Sequence, residues 1–104
     1  MILVNTPTIT NKEIIEVHGI VRGSTVRARN LGRDIFAGIK NLVGGEVSEY
    51  TKLQADAREE ALKRMIKDAE KLSANAVINV KFTTSVIMQG TSEMLAYGTA
   101  VTVK

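Results

Sequence analysis

The longest segment with helical periodicity begins after the double glycine Gly44-Gly45, and it constrains the fold more than any other feature of the chain. Every other predicted element is short enough to need this helix as a packing partner. At about 100° per residue, one arc of the helix contains Tyr50, Ala57, Ala61, Met65, Ala69 and Leu72. The alanines allow a close approach to a sheet or to another subunit. The sequence therefore predicts a long helix from about Ser48 to near Ser73.

Two polar residues, Gln54 and Arg58, interrupt the apolar arc of this helix one turn apart. A buried guanidinium needs a partner, because an unpaired buried charge is very costly. Arg58 is interpreted either as a clamp for an anion or a substrate, or as a structural ion pair or subunit contact. Glu46 or Glu49, of the same or a neighbouring chain, would be its partner in the second case, which is the preferred one.

Strand patterns lie on both sides of the helical region. Residues 2–4 are predicted to form a short strand, and residues 12–29 either one long strand or two strands broken by glycine. Gly19 and Gly23 predict a bulge or the close approach of another backbone, and Gly23-Ser24 is alternatively a tight turn. Asn75 stands between helix and strand, where its side chain can cap backbone groups. Two further strands, residues 76–86 and 94–103, flank a turn at 89–92 and are predicted to pair as an antiparallel hairpin.

A first helix is predicted between residues 30 and 43, where Asn30 is a good N-cap and Gly44 suits the C′ position. The element order is then ββααββ. This order indicates an α+β fold, with an antiparallel sheet and two helices on one of its faces. Four residues of the last two strands look like a surface that something covers, and homo-oligomerisation is the simplest explanation. These are Ile87, Met94, Ala96 and Ala100.

Composition excludes several classes of protein. The 104 residues predict a single domain, residues 1–104, and the absence of cysteine excludes disulfides and thiolate metal sites. No apolar run approaches the ~20 residues of a membrane span, and no signal peptide is recognisable, so we expect a cytoplasmic protein without a membrane partner. The net charge of +3 includes one basic cluster, formed by Arg22, Arg27, Arg29 and Arg33. Without an aromatic stacking platform beside it, nucleic-acid binding is disfavoured.

A set of motifs, in order and over nearly the whole chain, resembles the YbjQ-like family of small bacterial and archaeal proteins, which carries a heavy-metal-binding label. They are Val21-Arg22-Gly23, Gly44-Gly45-Glu46, Tyr50-Thr51, Arg58 with Ala61-Leu62 and Arg64-Met65, Ala74-Asn75-Ala76-Val77, and Tyr97-Gly98-Thr99-Ala100-Val101. The resemblance implies a dodecin-like α+β subunit that assembles into a ring, expected to be a pentamer, and it implies no established activity. The family usually has glycine where this chain has Ser73, which concerns the C-cap geometry of the long helix.

The candidate residues for ligand binding or an interface are Gly44, Gly45, Glu46, Gln54, Arg58 and Tyr97. Glu46 is interpreted as a ligand for a cation or a basic partner, or as a carboxylate that the helix dipole stabilises by ~0.3–1 kcal/mol; the second role is preferred. For Tyr97 a core or interface role is preferred to ligand contact, and Gly98 beside it is able to admit a close backbone. No residue is assigned to a metal. His18, the only histidine, would need ligands from other strands or subunits, and soft metals prefer thiolate and imidazole.

The sequence offers no defensible nucleophile–base pair, phosphate-binding glycine loop or pair of catalytic carboxylates. We therefore predict a non-enzymatic homo-oligomer with a structural or binding role and without a cofactor. The alternative is a protein that binds a metal ion or a small anion at subunit interfaces through Glu46, Arg58 and Tyr97.

Overall fold

The computed structural model describes residues 1–28 and 48–104. They form four strands and one helix: β1 (Ile2–Leu3), β2 (Ile14–Ala28), α1 (Ser48–Lys71), β3 (Ala76–Met88) and β4 (Thr91–Val103). The strands make one sheet in the order β1-β3-β4-β2. β4 pairs antiparallel with both β2 and β3, whereas β1 pairs parallel with β3. The helix packs on one face of this sheet, mainly over β2 and β4.

The main core lies between α1 and the sheet. Ala57, Ala61, Met65 and Ala69 are the buried residues of α1, at the three- and four-residue spacings of a single helical face. The sheet contributes small and medium side chains to the same cluster: Val21, Val77, Met94, Ala96 and Ala100. Gly23 completes this contact, because a Cβ at that position would collide with the carbonyl oxygen of Ala61 and the amide nitrogen of Met65.

A smaller core lies on the opposite face of the sheet, at the end where β4 finishes. Its buried residues are Ala76, Ile78, Val101 and Val103. The segment before β2 covers them, with Val4 and Ile9 packed against the cluster. Asn75 closes this end of the sheet, since its side-chain amide donates to the carbonyl of Val103 at 2.9 Å and accepts from the amide of Val103 at 2.8 Å. The predicted capping role of Asn75 is confirmed.

Bulges decide which residues of the long strands face which core. In β2, the register shifts between Val17 and Gly19, and Gly19 has a φ of 116°, which glycine adopts without strain. In β3, the register shifts between Ile78 and Lys81, with Asn79 at a φ of 52°. Both Val77 and Val80 consequently pack on the core beneath α1. The prediction of a bulge or a close backbone at Gly19 and Gly23 is confirmed.

The predicted fold class is wrong in two respects. The sheet is mixed instead of antiparallel, because the apolar β1 pairs parallel with the edge of β3, and the amides of Ile2 and Val4 donate to the carbonyls of Asn75 and Val77. The described residues contain one helix, so the order ββααββ with two helices is not observed. The helix predicted between residues 30 and 43 lies outside the described residues. The structure contains one chain, so it does not test the predicted assembly into a dodecin-like ring.

The surface that the sequence singled out on the last two strands is covered mostly from within the chain. Met94, Ala96 and Ala100 are buried beneath α1, whereas Ile87 is 52% exposed. Their small size suits this position, because it lets the helix lie close to the sheet. The antiparallel hairpin of β3 and β4 is confirmed, with a turn at residues 89–90 that is tighter than predicted.

Candidate functional site

The residues predicted as a site do not form one cluster among the described parts of the chain. Gly44, Gly45 and Glu46 lie outside the described residues, and so does any contact they make. On α1, Gln54 is half-buried, but Arg58 is exposed, outside the buried face that its neighbour Ala57 occupies. The interpretation of Arg58 as part of the buried arc is therefore wrong, because the face of α1 that meets the sheet is narrower than the arc drawn from the sequence.

Tyr97 is half-buried in the middle strand β4. Directly across from it lie Arg22 on β2 and Lys81 on β3. The next residue, Gly98, faces the opposite way, and a Cβ there would come within 2.9 Å of the carbonyl oxygen of Ile78 and 2.7 Å of Val77. The predicted close approach of a backbone at Gly98 is thus confirmed. Tyr97 stands between two cationic neighbours on the face of the sheet away from α1.

A basic cleft, which the sequence analysis did not identify, lies between α1 and the outer edge of β2. It has a volume of about 500 Å³. Its charged and polar lining consists of Arg22, Ser24, Arg64, Lys67, Asp68 and Lys71. The helical part of this set was visible in the sequence as residues 64, 67 and 71, which share a helix face. The position of α1 over the edge of β2 could not be derived from the periodicity.

Two side chains of α1 cap the backbone of β2 at this cleft. Asp68 accepts a hydrogen bond from the amide of Arg22 at 3.2 Å, and Arg64 donates to the carbonyl of Ser24 at 2.6 Å. Arg64 also forms an i,i+4 ion pair with Glu60, at 3.3 Å. These contacts occupy outward-pointing polar groups of an edge strand, which would otherwise be open to another strand.

An apolar cleft of about 620 Å³ lies at the other edge of the sheet, where the segment after β1 leaves β3. Leu3, Leu62, Val80 and Phe82 are among its lining residues. Beyond this cleft the hairpin projects with four exposed apolar side chains. Their exposed fractions are 45% for Phe82, 79% for Val86, 52% for Ile87 and 63% for Met88.

Comparison with known proteins assigns the family. Residues 1–104 match the model of the YbjQ family, which is described as "putative heavy-metal-binding". The chain belongs to the YbjQ family. A UPF0145 protein of Archaeoglobus fulgidus is 57% identical to this YbjQ chain over 101 residues, which is 97% of this chain and 94% of the relative. A UPF0145 protein of Pyrococcus furiosus is 58% identical over 104 residues, covering all of this chain and 91% of the relative.

A solved structure supports the fold of this YbjQ chain. A protein of unknown function from Pediococcus pentosaceus, of the DUF74 family, superposes with a TM-score of 0.66 over the whole of this chain and 98% of its own. The two sequences are 17% identical, so the likeness concerns the fold alone. In residues 1–28 and 48–104, no helix is both long enough and apolar enough to cross a membrane.

The metal-binding description of the YbjQ family finds no matching ligand set in the described part of this chain. No three His, Cys, Asp or Glu side chains converge there. His18 has one carboxylate near it, Glu16, with 3.9 Å between Nδ1 and Oε1. Its Nε2 lies 2.7 Å from the hydroxyl of Thr102. One imidazole, one carboxylate and one hydroxyl on a chain without cysteine do not fit a soft metal ion.

Proposed function

We propose that this YbjQ-family protein is a non-enzymatic homo-oligomer that has a structural or binding role. The observation that carries the proposal is the exposed apolar hairpin. Monomeric soluble proteins rarely leave a contiguous apolar strand uncovered, because such a strand promotes aggregation. A second copy of the chain is the proposed occupant.

The outer edge of β3 is the first half of the proposed contact. Within the described residues, the N-terminal segment bonds to β3 only as far as Val80, whose amide donates to Val4 at 3.0 Å. Residues 81–88 continue β3 with no strand on that side in the described part of the chain. The apolar side chains among them, Phe82, Val86, Ile87 and Met88, supply contact area, and the backbone supplies hydrogen bonds.

The outer edge of β2 is the second half. Val17, Ile20 and Val26 are exposed by 64%, 78% and 55%. Since Asp68 and Arg64 cap this strand only at residues 22–24, the stretches on either side of the cap are the ones available to a partner. Contact between two different edges of one chain repeats head to tail, and it gives a closed ring when the rotation between neighbouring copies closes. The family resemblance favours five subunits.

The overall shape supports the same proposal. The radius of gyration is 17.0 Å, and the extents are 53 × 26 × 16 Å. A compact domain of about 100 residues has a radius of gyration of about 13 Å. In the described ranges, 1–28 and 48–104, part of the sheet is uncovered, and association with further copies would bury some of that surface.

Light scattering coupled to size exclusion tests the proposal. At micromolar concentration, the wild-type mass should be several times the 11.3 kDa of the chain, with five subunits as the expected count. Val86→Lys combined with Met88→Lys should lower the mass, because both side chains would carry charge into the contact. Thr83→Lys with Ser85→Lys, at exposed positions of the same strand that carry no apolar side chain, is the matched control. A monomeric wild type would refute the proposal.

The second candidate function is binding of a small ligand. Binding of a small anion is supported by the cationic neighbours of Tyr97 and by the basic cleft. Binding of a metal ion is supported by the family description, but the described residues offer no matching ligands. A thermal-shift panel of divalent metal ions tests it, because a ligand specific to the folded state raises the melting temperature. A saturable shift with one metal ion would support the metal form, and an unchanged melting temperature would reject it.

A further inference from the structure

We propose that the basic cleft between α1 and β2 is a binding site for a small molecule that carries two or three linked phosphates. This binding site is a separate proposal from the homo-oligomer. The cleft is built from one chain, and it meets β2 at residues 22–24, the part of that edge which the proposed contact between copies leaves free. The number and spacing of the cationic groups, together with the contacts that hold Arg64 in place, indicate the ligand class.

The charge in the cleft is concentrated along one line. Arg64, Lys67 and Lys71 lie on one face of α1, and the rise of an α-helix places the first and last about 10 Å apart. Arg22 lines the cleft from β2 with its backbone, whose amide donates to Asp68, because its side chain lies on the other face of the sheet beside Tyr97. The cations of the cleft are therefore Arg64, Lys67 and Lys71, and since Glu60 pairs with Arg64 and Asp68 bonds to the Arg22 amide, the two lysines are the cations left for a ligand. A short chain of phosphates has the length and the charge to match them.

The guanidinium of Arg64 is held in place by two contacts, with the carbonyl of Ser24 at 2.6 Å and the carboxylate of Glu60 at 3.3 Å. A guanidinium has five N–H donors, so further donors remain for a ligand. A pre-oriented arginine loses less freedom when it binds a phosphate than a flexible one does. Arg64 is therefore the positioning centre of the proposed site.

The two lysines are available to a ligand. Lys67 and Lys71 are exposed, and neither lies within 4.0 Å of a carboxylate in the described residues. The end of α1 does not need Lys71 as a cap. The carbonyls of Ala69 and Glu70 already accept hydrogen bonds from the amides of Ala74 and Ser73, at 3.2 and 3.0 Å.

The lining of the cleft favours a small molecule over a nucleic acid. Proteins that bind single strands combine a basic groove with aromatic rings on which bases stack, and the described lining contains no aromatic ring. The volume of about 500 Å³ falls within the range of small-molecule sites. The phosphates are the recognised group, and whatever they are attached to extends into solvent.

Titration calorimetry at about 50 mM salt tests the site with inorganic phosphate, pyrophosphate, tripolyphosphate and a nucleoside triphosphate. Affinity should rise from phosphate to tripolyphosphate, and the nucleoside triphosphate should bind about as well as tripolyphosphate. Lys67→Gln with Lys71→Gln should weaken tripolyphosphate binding by about tenfold. Lys12→Gln with Lys104→Gln removes the same charge from exposed positions outside the cleft and should change the affinity by less than about twofold.

Asp68→Asn provides a test in the opposite direction. The asparagine oxygen still accepts from the amide of Arg22, while the carboxylate charge is removed, so tripolyphosphate should bind several times more tightly. The oligomeric mass of each variant is measured alongside, which separates this site from the assembly. The proposal is overturned if wild type shows no saturable binding, if both lysine pairs have the same effect, if Asp68→Asn weakens binding, or if only an RNA oligonucleotide binds.

Discussion

Ser73 holds a left-handed backbone conformation, with a φ of 62°, just beyond the end of α1. The amide of Ala74 donates to the carbonyl of Ala69, and the amide of Ser73 donates to that of Glu70, which is the hydrogen-bond pattern of a Schellman motif. Glycine is the residue usually found at this position, because a Cβ makes the conformation costly. Ser73 therefore strains a helix end whose geometry is otherwise complete.

We expect Ser73→Gly to stabilise the protein by about 0.5–1 kcal/mol, because the strain of a left-handed L-residue exceeds the entropy that glycine adds to the unfolded chain. Urea denaturation measures the change as a higher midpoint with an unchanged slope. Ser73→Ala keeps the Cβ and should have a stability close to that of the wild type. A less stable glycine variant would show that the Ser73 side chain makes a contact worth more than the strain.

Single residues also mark what the sequence can reveal. Glycines inside an apolar pattern correctly predicted the bulge at Gly19 and the close contacts at Gly23 and Gly98. Glycine weakens a strand, so its presence there usually marks a bulge or the close approach of another backbone. The bulge at Asn79 had no such marker. Arg58 was misplaced because a helical arc drawn from the sequence does not show how wide the buried face will be.

At the scale of elements, the contact between α1 and β2 depends on the absence of a side chain. Gly23 lies against the backbone of α1, and backbone atoms cannot move aside by changing a rotamer. Gly23→Ala should therefore destabilise the fold by about 1–3 kcal/mol or more, the range for overpacked cores. The measurement is the free energy of unfolding in urea.

Ser24→Ala, in the next position, is the control, because the carbonyl that accepts from Arg64 is retained. This substitution should change the free energy of unfolding only slightly. If Gly23→Ala were as stable as wild type, α1 would have to lie farther from β2 than the structure places it, and the basic cleft would change shape with it.

The lengths and positions of α1 and of the long strands could be predicted, since each has a clear period and a clear boundary. The strand or helix beside which each of them packs could not be predicted. An isolated apolar segment such as β1 carries no information about the strand beside which it lies or its direction, and its parallel pairing with β3 emerged only from the structure. The same applies to the basic cleft, whose lining comes from two elements, β2 and α1, that lie far apart in the sequence.

At the scale of the whole molecule, an elongated chain with apolar edges should gain stability from association. The midpoint of thermal unfolding should then rise with protein concentration, because mass action favours the folded oligomer. Scanning calorimetry between about 1 and 100 µM measures this. A midpoint independent of concentration would indicate a chain that is stable on its own, and the exposed hairpin would need another explanation.

The bulge at Asn79 changes which positions of β3 face which core. Before it, Ala76 and Ile78 belong to the core that the N-terminal segment covers and Val77 to the core beneath α1; after it, Val80 packs on the core beneath α1. Substitutions at Ala76 and Ile78 should therefore be selected together with Val4 and Ile9 during divergence, and those at Val77 and Val80 together with the helix. Deleting one residue at the bulge would turn each following side chain of β3 to the opposite face of the sheet.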